Sequence, residues 1–237
     1  MNKRSGGRFP GDRLLLRRAL ARGLESARAN RLPIAVLWCV AAGLVGAYFL
    51  LPGAGALLEP VADWQRVWGW KAAALSLAVF CGLIPGVFQL TVREIRPERP
   101  FLTIFLQFLW CGFSGVVVNR FFAFQAWLFG NDASFATLLL KTLVDQFVWT
   151  VLVIAPANSV FFFWLGRGCS FVRTRREWPQ RFLAEFYLPN LVSNWCVWIP
   201  AIFMVYAFPV ALQVHLNGLV CACWILMCNH LGRSSGR

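Results

Sequence analysis

Charge is scarce in this chain: 14% of its 237 residues are charged, against about 25% in a soluble globular domain, and only 10 are acidic. Between Phe186 and Gly232, 47 consecutive positions hold no Asp, Glu, Lys or Arg. A transmembrane helix needs ~20 apolar residues to cross a hydrocarbon core of about 30 Å, so this run has room for two crossings and a tight connection. Together with 59% hydrophobic residues and a mean hydropathy of +0.60, it makes the chain an integral membrane protein whose first partner is the lipid bilayer.

Other absences exclude chemistry. There is no Gly-x-Ser-x-Gly, no phosphate-binding glycine loop and no Asp-Asp pair, and His215 and His230 are too far apart to form a metal-binding spacing. No metal or cofactor is expected. The 8 cysteines form no Cys-x-x-Cys, and Cys39, Cys81, Cys111, Cys196, Cys221, Cys223 and Cys228 lie in apolar runs while Cys169 does not, so they read as small hydrophobes. An enzyme is not expected either, because a general acid and base need two titratable groups and the expected spans hold one carboxylate, Asp145.

What is present reads as an all-α, polytopic transmembrane helical bundle. Spans are expected at about 33–51, 72–92, 101–119, 142–165, 188–208 and 210–230. The alternative is five spans, with the final run divided between one crossing and one surface segment. Basic residues fall on one side of the alternating topology: nine before the first span, three in Arg93 to Arg99, five in Arg167 to Arg181 and two at Arg233 and Arg237, making 19 of 23. Arg66, Lys71, Arg120 and Lys141 fall on the other side. The positive-inside rule then places both termini inside. The net charge of +13 is therefore topological, and no nucleic-acid partner is expected.

Trp64, Trp68 and Trp70, with Trp127, Trp164 and Trp178, sit near span boundaries as an aromatic belt does. Small residues (Ala41, Ala42, Gly43, Gly46 and Ala47, then Gly112 and Gly115) predict close helix contacts, and Pro85, Pro156 and Pro200 predict kinks. Residues 1–31 form a basic N-terminal segment: 1–11 are expected to be disordered, and 12–31 to form an arginine-rich amphipathic helix on the membrane surface or a flank that orients the first span. Residues 32–237 are the bundle.

Asp145 draws attention as the one carboxylate within a span, since a charge at the bilayer centre costs ~2.5 to 3.5 kcal/mol and usually faces a partner or a wet cavity. Lys141 lies one helical turn before it and Arg120 ends the preceding span, so an ion-paired cluster is expected, as a helix lock or a solute site. His215 and Asn217 either join the same vestibule or bond between helices. Asn190, Ser193, Asn194, Asn158 and Ser159 are candidates for the inner part of a polar path.

The stretch Asn194-Trp195-Cys196-Val197-Trp198-Ile199-Pro200, followed by Tyr206-Ala207-Phe208-Pro209 and Trp224, resembles the signature of the Mpv-type family of mitochondrial inner-membrane and peroxisomal membrane proteins. Lys141, Leu143, Asp145 and Gln146 are similar to that family's Lys-x-x-x-Asp-Gln segment, and the region around Gly112 to Gly115 to its glycine-rich helix. The resemblance covers about residues 75–232, beyond a leading extension with its own span. It implies a channel-like or metabolite-permeating protein tied to membrane homeostasis. The chain departs from the pattern at Ile202, Phe203 and Val205, where the family carries Gln and Asn, at Gln213, where it carries Arg, and in the placing of Pro156.

The expected function is thus a channel or transporter for small solutes, with Asp145, Arg120 and Gln146 at a polar entrance and Asn194 toward the inner mouth. The alternative is a non-transporting scaffold. Six short helices are few for a pore, which leaves a homo-oligomer open. With no presequence cleavage signal evident, a bacterial cytoplasmic membrane is favoured over a mitochondrial inner membrane.

Overall fold

The computed structural model describes residues 10–91, 93, 96–179, 182, 183 and 187–231, with side chains from residue 17 to residue 226. The expected disorder of residues 1–9 lies outside these, as do the side chains of Cys228 and His230. Pro10 and Gly11, expected to be disordered, open the first helix instead. Proline suits a first turn, where its missing N–H has no intrahelical partner to lose.

Every regular element among the described residues is helical: α1 Pro10–Ala29, α2 Arg31–Leu50, α3 Ala54–Trp68, α4 Trp70–Thr91, α5 Pro100–Phe129, α6 Phe135–Leu165, α7 Phe171–Arg176, α8 Leu188–Tyr206 and α9 Val210–Leu231. Five of them, α2, α4, α5, α6 and α8, are long and apolar enough to cross a membrane. The final apolar run folds as two helices, and α9 adds the shorter apolar stretch Val210–Leu226.

Neighbour contacts fix the directions of the helices. Gly82 and Gly86 of α4 meet Phe108 and Ile104 of α5, while Gly112 and Gly115 meet Ala78 and Ala73, so α4 and α5 are antiparallel. A side chain on Gly115 would collide with the Ala73 backbone, and one on Gly82 with Phe108 Cα at 2.8 Å, so these glycines set the helix separation. Helix α9 runs parallel to α4, with His215 beside Ser76 and Cys81 beside Gly218. The expected close contacts at Gly43 and Gly46 are not made: nothing lies within 4 Å of where their side chains would be, because that face of α2 points outward.

Two boundaries differ from expectation. Arg120 and Lys141 were expected to end spans at 119 and 142, but α5 continues to Phe129 and α6 begins at Phe135. Residues 121–129 are apolar and helix-compatible, and nothing stops the helix before Gly130, whose φ is +86°. Ser134 then caps α6 by accepting from the Thr137 N–H at 3.4 Å. At about 45 Å, a 30-residue helix outruns the hydrocarbon core and can carry a charge toward its end.

Helices α1 and α2 run alongside α8. Ala19, Gly23 and Ala27 form the contact stripe of α1, and a side chain on Gly23 would meet Val192 Cβ at 2.7 Å. Ser193 bonds Ser26 at 3.4 Å, and farther along, Trp38 Nε1 donates to the Val197 carbonyl at 3.2 Å. The end of the bundle at α1 is termed the near end. At the far end lies α3, which buries Ala62 against Phe208 and Leu212 and exposes Glu59, Asp63 and Arg66.

Candidate functional site

The site grows from an unusual stretch of α6. From Asp145 to Ile154 the helix is wound with five-residue hydrogen bonds, so that the Ala155 N–H reaches Thr150 O. Pro156 explains part of this, since it donates nothing and crowds the preceding turn. With Ala155 bonded to Thr150 and Pro156 unable to donate, the Val151 carbonyl loses its helical partners. The Tyr187 hydroxyl donates to it at 2.5 Å. Trp195 Nε1 likewise donates to Gln146 O at 2.9 Å. A second wide segment, Ala78–Leu83, precedes Pro85, and Gln107 Nε2 donates to the Cys81 carbonyl at 3.3 Å. The kinks expected at Pro85 and Pro156 are therefore wide turns whose freed carbonyls find side-chain donors.

Asp145 opens the wide stretch, is only 5% exposed, and is bound by neutral donors. Its Oδ2 accepts from the Tyr206 hydroxyl at 2.6 Å, and its Oδ1 from Gln146 Nε2 at 2.8 Å and Thr150 Oγ1 at 3.3 Å. The Tyr206 hydroxyl in turn accepts from Gln125 Nε2 at 2.7 Å. One carboxylate thus ties together α5, α6 and α8. Gln213 Nε2 secures the end of α8 by donating to Phe208 O at 2.8 Å.

Below this network, toward the near end, lies a cavity of about 420 Å³ enclosed by α4, α5, α6, α8 and α9. It extends from Asp145 and Ile202 down to Phe162 and Asn190, roughly 20 Å by helical rise. Its polar lining comprises Asp145, Gln146, Thr150, Asn158, Ser159, Ser114, Asn190, Asn194 and Asn217, interleaved with tryptophans. Above Asp145 the packing is closed: Gln125, Leu138, Lys141, Thr142 and Tyr206 are all buried. At the near end, Asn190 and Phe162 are exposed. Among the described residues, the cavity is thus shut at the far end, while its near-end lining residues are exposed.

The expected residues divide accordingly. Asp145, Gln146, Asn194, Trp198 and Trp224 line the cavity, as do Asn158, Ser159, Asn190 and Asn217. Trp195 packs behind it on Phe147, Pro200 lies within α8, and exposed Pro209 forms the α8–α9 turn. The expected ion-paired cluster is absent among the described residues. Lys141, at 1% exposure, directs its ammonium over the Tyr206 ring at 5.7 Å rather than to Asp145. Arg120 is exposed on α5 and makes no ion pair among the described residues. Asp145 therefore stands at the closed end of a cavity and not with Arg120 at an entrance. His215 belongs elsewhere, bonded to Ser76 at 2.9 Å and set against the tilted ring of Trp64.

Gln125, Thr150 and the hydroxyl of Tyr206 were not anticipated as site residues. Gln125 was hidden by ending the third span at 119; a span drawn to Gly130 exposes it as an intramembrane polar residue in need of a partner. Comparison with protein-family models, curated proteins and solved structures finds no match to this chain.

Proposed function

We propose that this membrane protein is a channel or transporter for small polar solutes, and that the route is the cavity beneath Asp145. The observation that carries this reading is a space of about 420 Å³ within a bundle of apolar helices, its mostly apolar wall interrupted by amides, hydroxyls and, among the described residues, one carboxylate. Polar groups at that depth are costly unless they serve partners or passage. Two side-chain atoms of lining residues, Gln146 Oε1 and Trp149 Nε1, are buried without a protein partner, a cost that water or a solute reaching them would relieve. The Mpv-type resemblance supports the same reading, since its matched residues Asp145, Asn194, Trp198 and Trp224 all line this cavity. A role in membrane homeostasis, and a bacterial cytoplasmic membrane in preference to a mitochondrial inner one, belong to this proposal. No catalytic step does, because Asp145 is the one carboxylate among the described residues that line the cavity.

Solute flux and single-channel conductance in liposomes test the reading. Ser114→Trp fills the cavity from α5, away from the hydrogen-bond network, and is expected to reduce flux; Asp145→Asn is expected to change its selectivity. Folded, inserted protein that passes nothing would favour a scaffold instead. One observation speaks for that second reading: Gly43 and Gly46 give α2 an outward face open to another helix. A scaffold would co-purify with a defined membrane partner, lost in Gly43→Leu.

A further inference from the structure

We infer that the cavity binds a small protonated amine, with its ammonium at the Asp145 end and its carbon body against the tryptophans. This rests on the reading of the same cavity as a solute route, and names what the route recognises.

Charge gives the first constraint. The lining contains one carboxylate and no Lys, Arg or His among the described residues. Lys141 is engaged with the Tyr206 ring and forms no ion pair with Asp145. In its ionised form Asp145 thus carries a negative charge that neutral donors solvate and that no ion pair among the described residues neutralises. An anion would be repelled by that charge, and a neutral solute would leave it uncompensated.

Hydrogen-bond capacity gives the second. A carboxylate offers about four acceptor positions, and three donors occupy those of Asp145, with Oδ2 taking only one. Beside it, Gln146 spends its Nε2 on Asp145 and leaves Oε1 unpartnered at 3% residue exposure. Asp145 Oδ2 therefore keeps room for an N–H donor at that end of the cavity, and Gln146 Oε1 is a second acceptor beside it, buried behind the wall. A metal ion is a poor fit: no group of three or more His, Cys, Asp or Glu exists among the described residues, and hard cations take six or more oxygens.

The walls supply the third constraint. Trp110, Trp149, Trp198 and Trp224 all line the cavity, and Trp198 and Trp224 have no ring partner among the described residues. Tryptophan faces attract ammonium groups through the ring quadrupole, most strongly where water is excluded. One donor, Trp149 Nε1, is also unpartnered, one turn along α6 from Asp145. An amine carrying a hydroxyl a few bonds from its nitrogen would bring its own hydrogen-bonding group to the amides and hydroxyls of the lining. Ethanolamine has this chemistry, as a free solute or as a lipid headgroup.

The test is thermal unfolding of the full chain in phosphatidylglycerol nanodiscs, titrated with ethanolamine, ethylene glycol or glycolate at pH 7. Ethanolamine alone is expected to raise the Tm saturably, with at least about tenfold weaker binding in Asp145→Asn. Where Asp145→Asn does not fold, Ser114→Trp must abolish the shift. Nanodiscs containing phosphatidylethanolamine separate the sources: loss of the free-ethanolamine shift there marks the headgroup as ligand, and its persistence marks the free amine. A shift of equal size with ethylene glycol or glycolate, no shift with any of the three, or an undiminished ethanolamine shift in folded Asp145→Asn, overturns the inference. Glycerol flux blocked by Ser114→Trp, without an ethanolamine shift, would sink the amine and spare the solute route. An ethanolamine shift without flux of any solute would do the reverse.

Discussion

The hydroxyl of Tyr206 donates to Asp145 Oδ2 at 2.6 Å, joining two helices through residues 61 positions apart in the chain. The Tyr206 hydroxyl oxygen itself accepts from Gln125 Nε2 at 2.7 Å, so one phenol organises a polar seal across three helices. Beyond it the bundle is packed, and below it the cavity opens. The seal is both what holds Asp145 and what ends the route.

Tyr206→Phe keeps the ring and removes the bridge. It leaves Asp145 Oδ2 and the Gln125 amide short of a partner in a buried site. Each orphaned group costs about 1–3 kcal/mol, and about 2–4 °C of Tm accompanies each kcal/mol in a chain of this size. Thermal unfolding in nanodiscs reads the loss. An unchanged Tm would show that water replaces the hydroxyl and that the seal is not structural.

Gly115→Ala tests the approach of α4 and α5. A methyl there would collide with the Ala73 backbone, which cannot rotate away as a side chain would. The expected cost is about 1–3 kcal/mol. Gly43→Ala, on an open face, is expected to stay within about 0.5 kcal/mol. Equal effects at the two positions would refute this account of the packing.

Much of this architecture was legible in the chain because lipid imposes simple rules. The 47 uncharged positions from Phe186 to Gly232 became two helices, and the apolar runs became long helices near their expected places. Asp145 stood out because a lone carboxylate among apolar residues must find partners. Which partners it found was not legible. The spacing of Lys141 and Asp145 places both on one helical face, but the lysine is drawn to a ring supplied by α8, 65 positions away. The five-residue turns after Asp145 also shift the faces of α6 from those of a regular helix, a change that no 3.6-residue pattern announces.

Tyr187→Phe tests the wide turn itself. It removes the one donor among the described residues that meets the Val151 carbonyl, at an expected cost of about 1–3 kcal/mol. Pro156→Ala restores an N–H five residues after Val151, the spacing that this part of the helix already uses. The double variant should therefore recover part of what Tyr187→Phe loses. Hydrogen exchange across residues 150–157 follows the recovery, and strictly additive losses would refute the shared carbonyl.

The far-end turn between α5 and α6 carries a pH dependence that can be assigned to one group. The Ser134 hydroxyl, the Ser134 N–H and the Thr137 hydroxyl hold the Asp132 carboxyl below its ordinary range. In the structure the Ser134 N–H donates at 2.9 Å and the Thr137 hydroxyl at 3.0 Å. A carboxyl whose pKa is lowered by folding binds its proton more weakly folded than unfolded. Its contribution is therefore complete above the ordinary carboxylate value and disappears as the pH falls through the lowered one. Acidification from neutral into that range should loosen the first turn of α6, seen as falling amide protection at residues 134–138 after correction for intrinsic exchange. Asp132→Asn should abolish that pH dependence while leaving Ser134 free to cap Thr137. A wild-type profile retained in Asp132→Asn would assign the effect to another group.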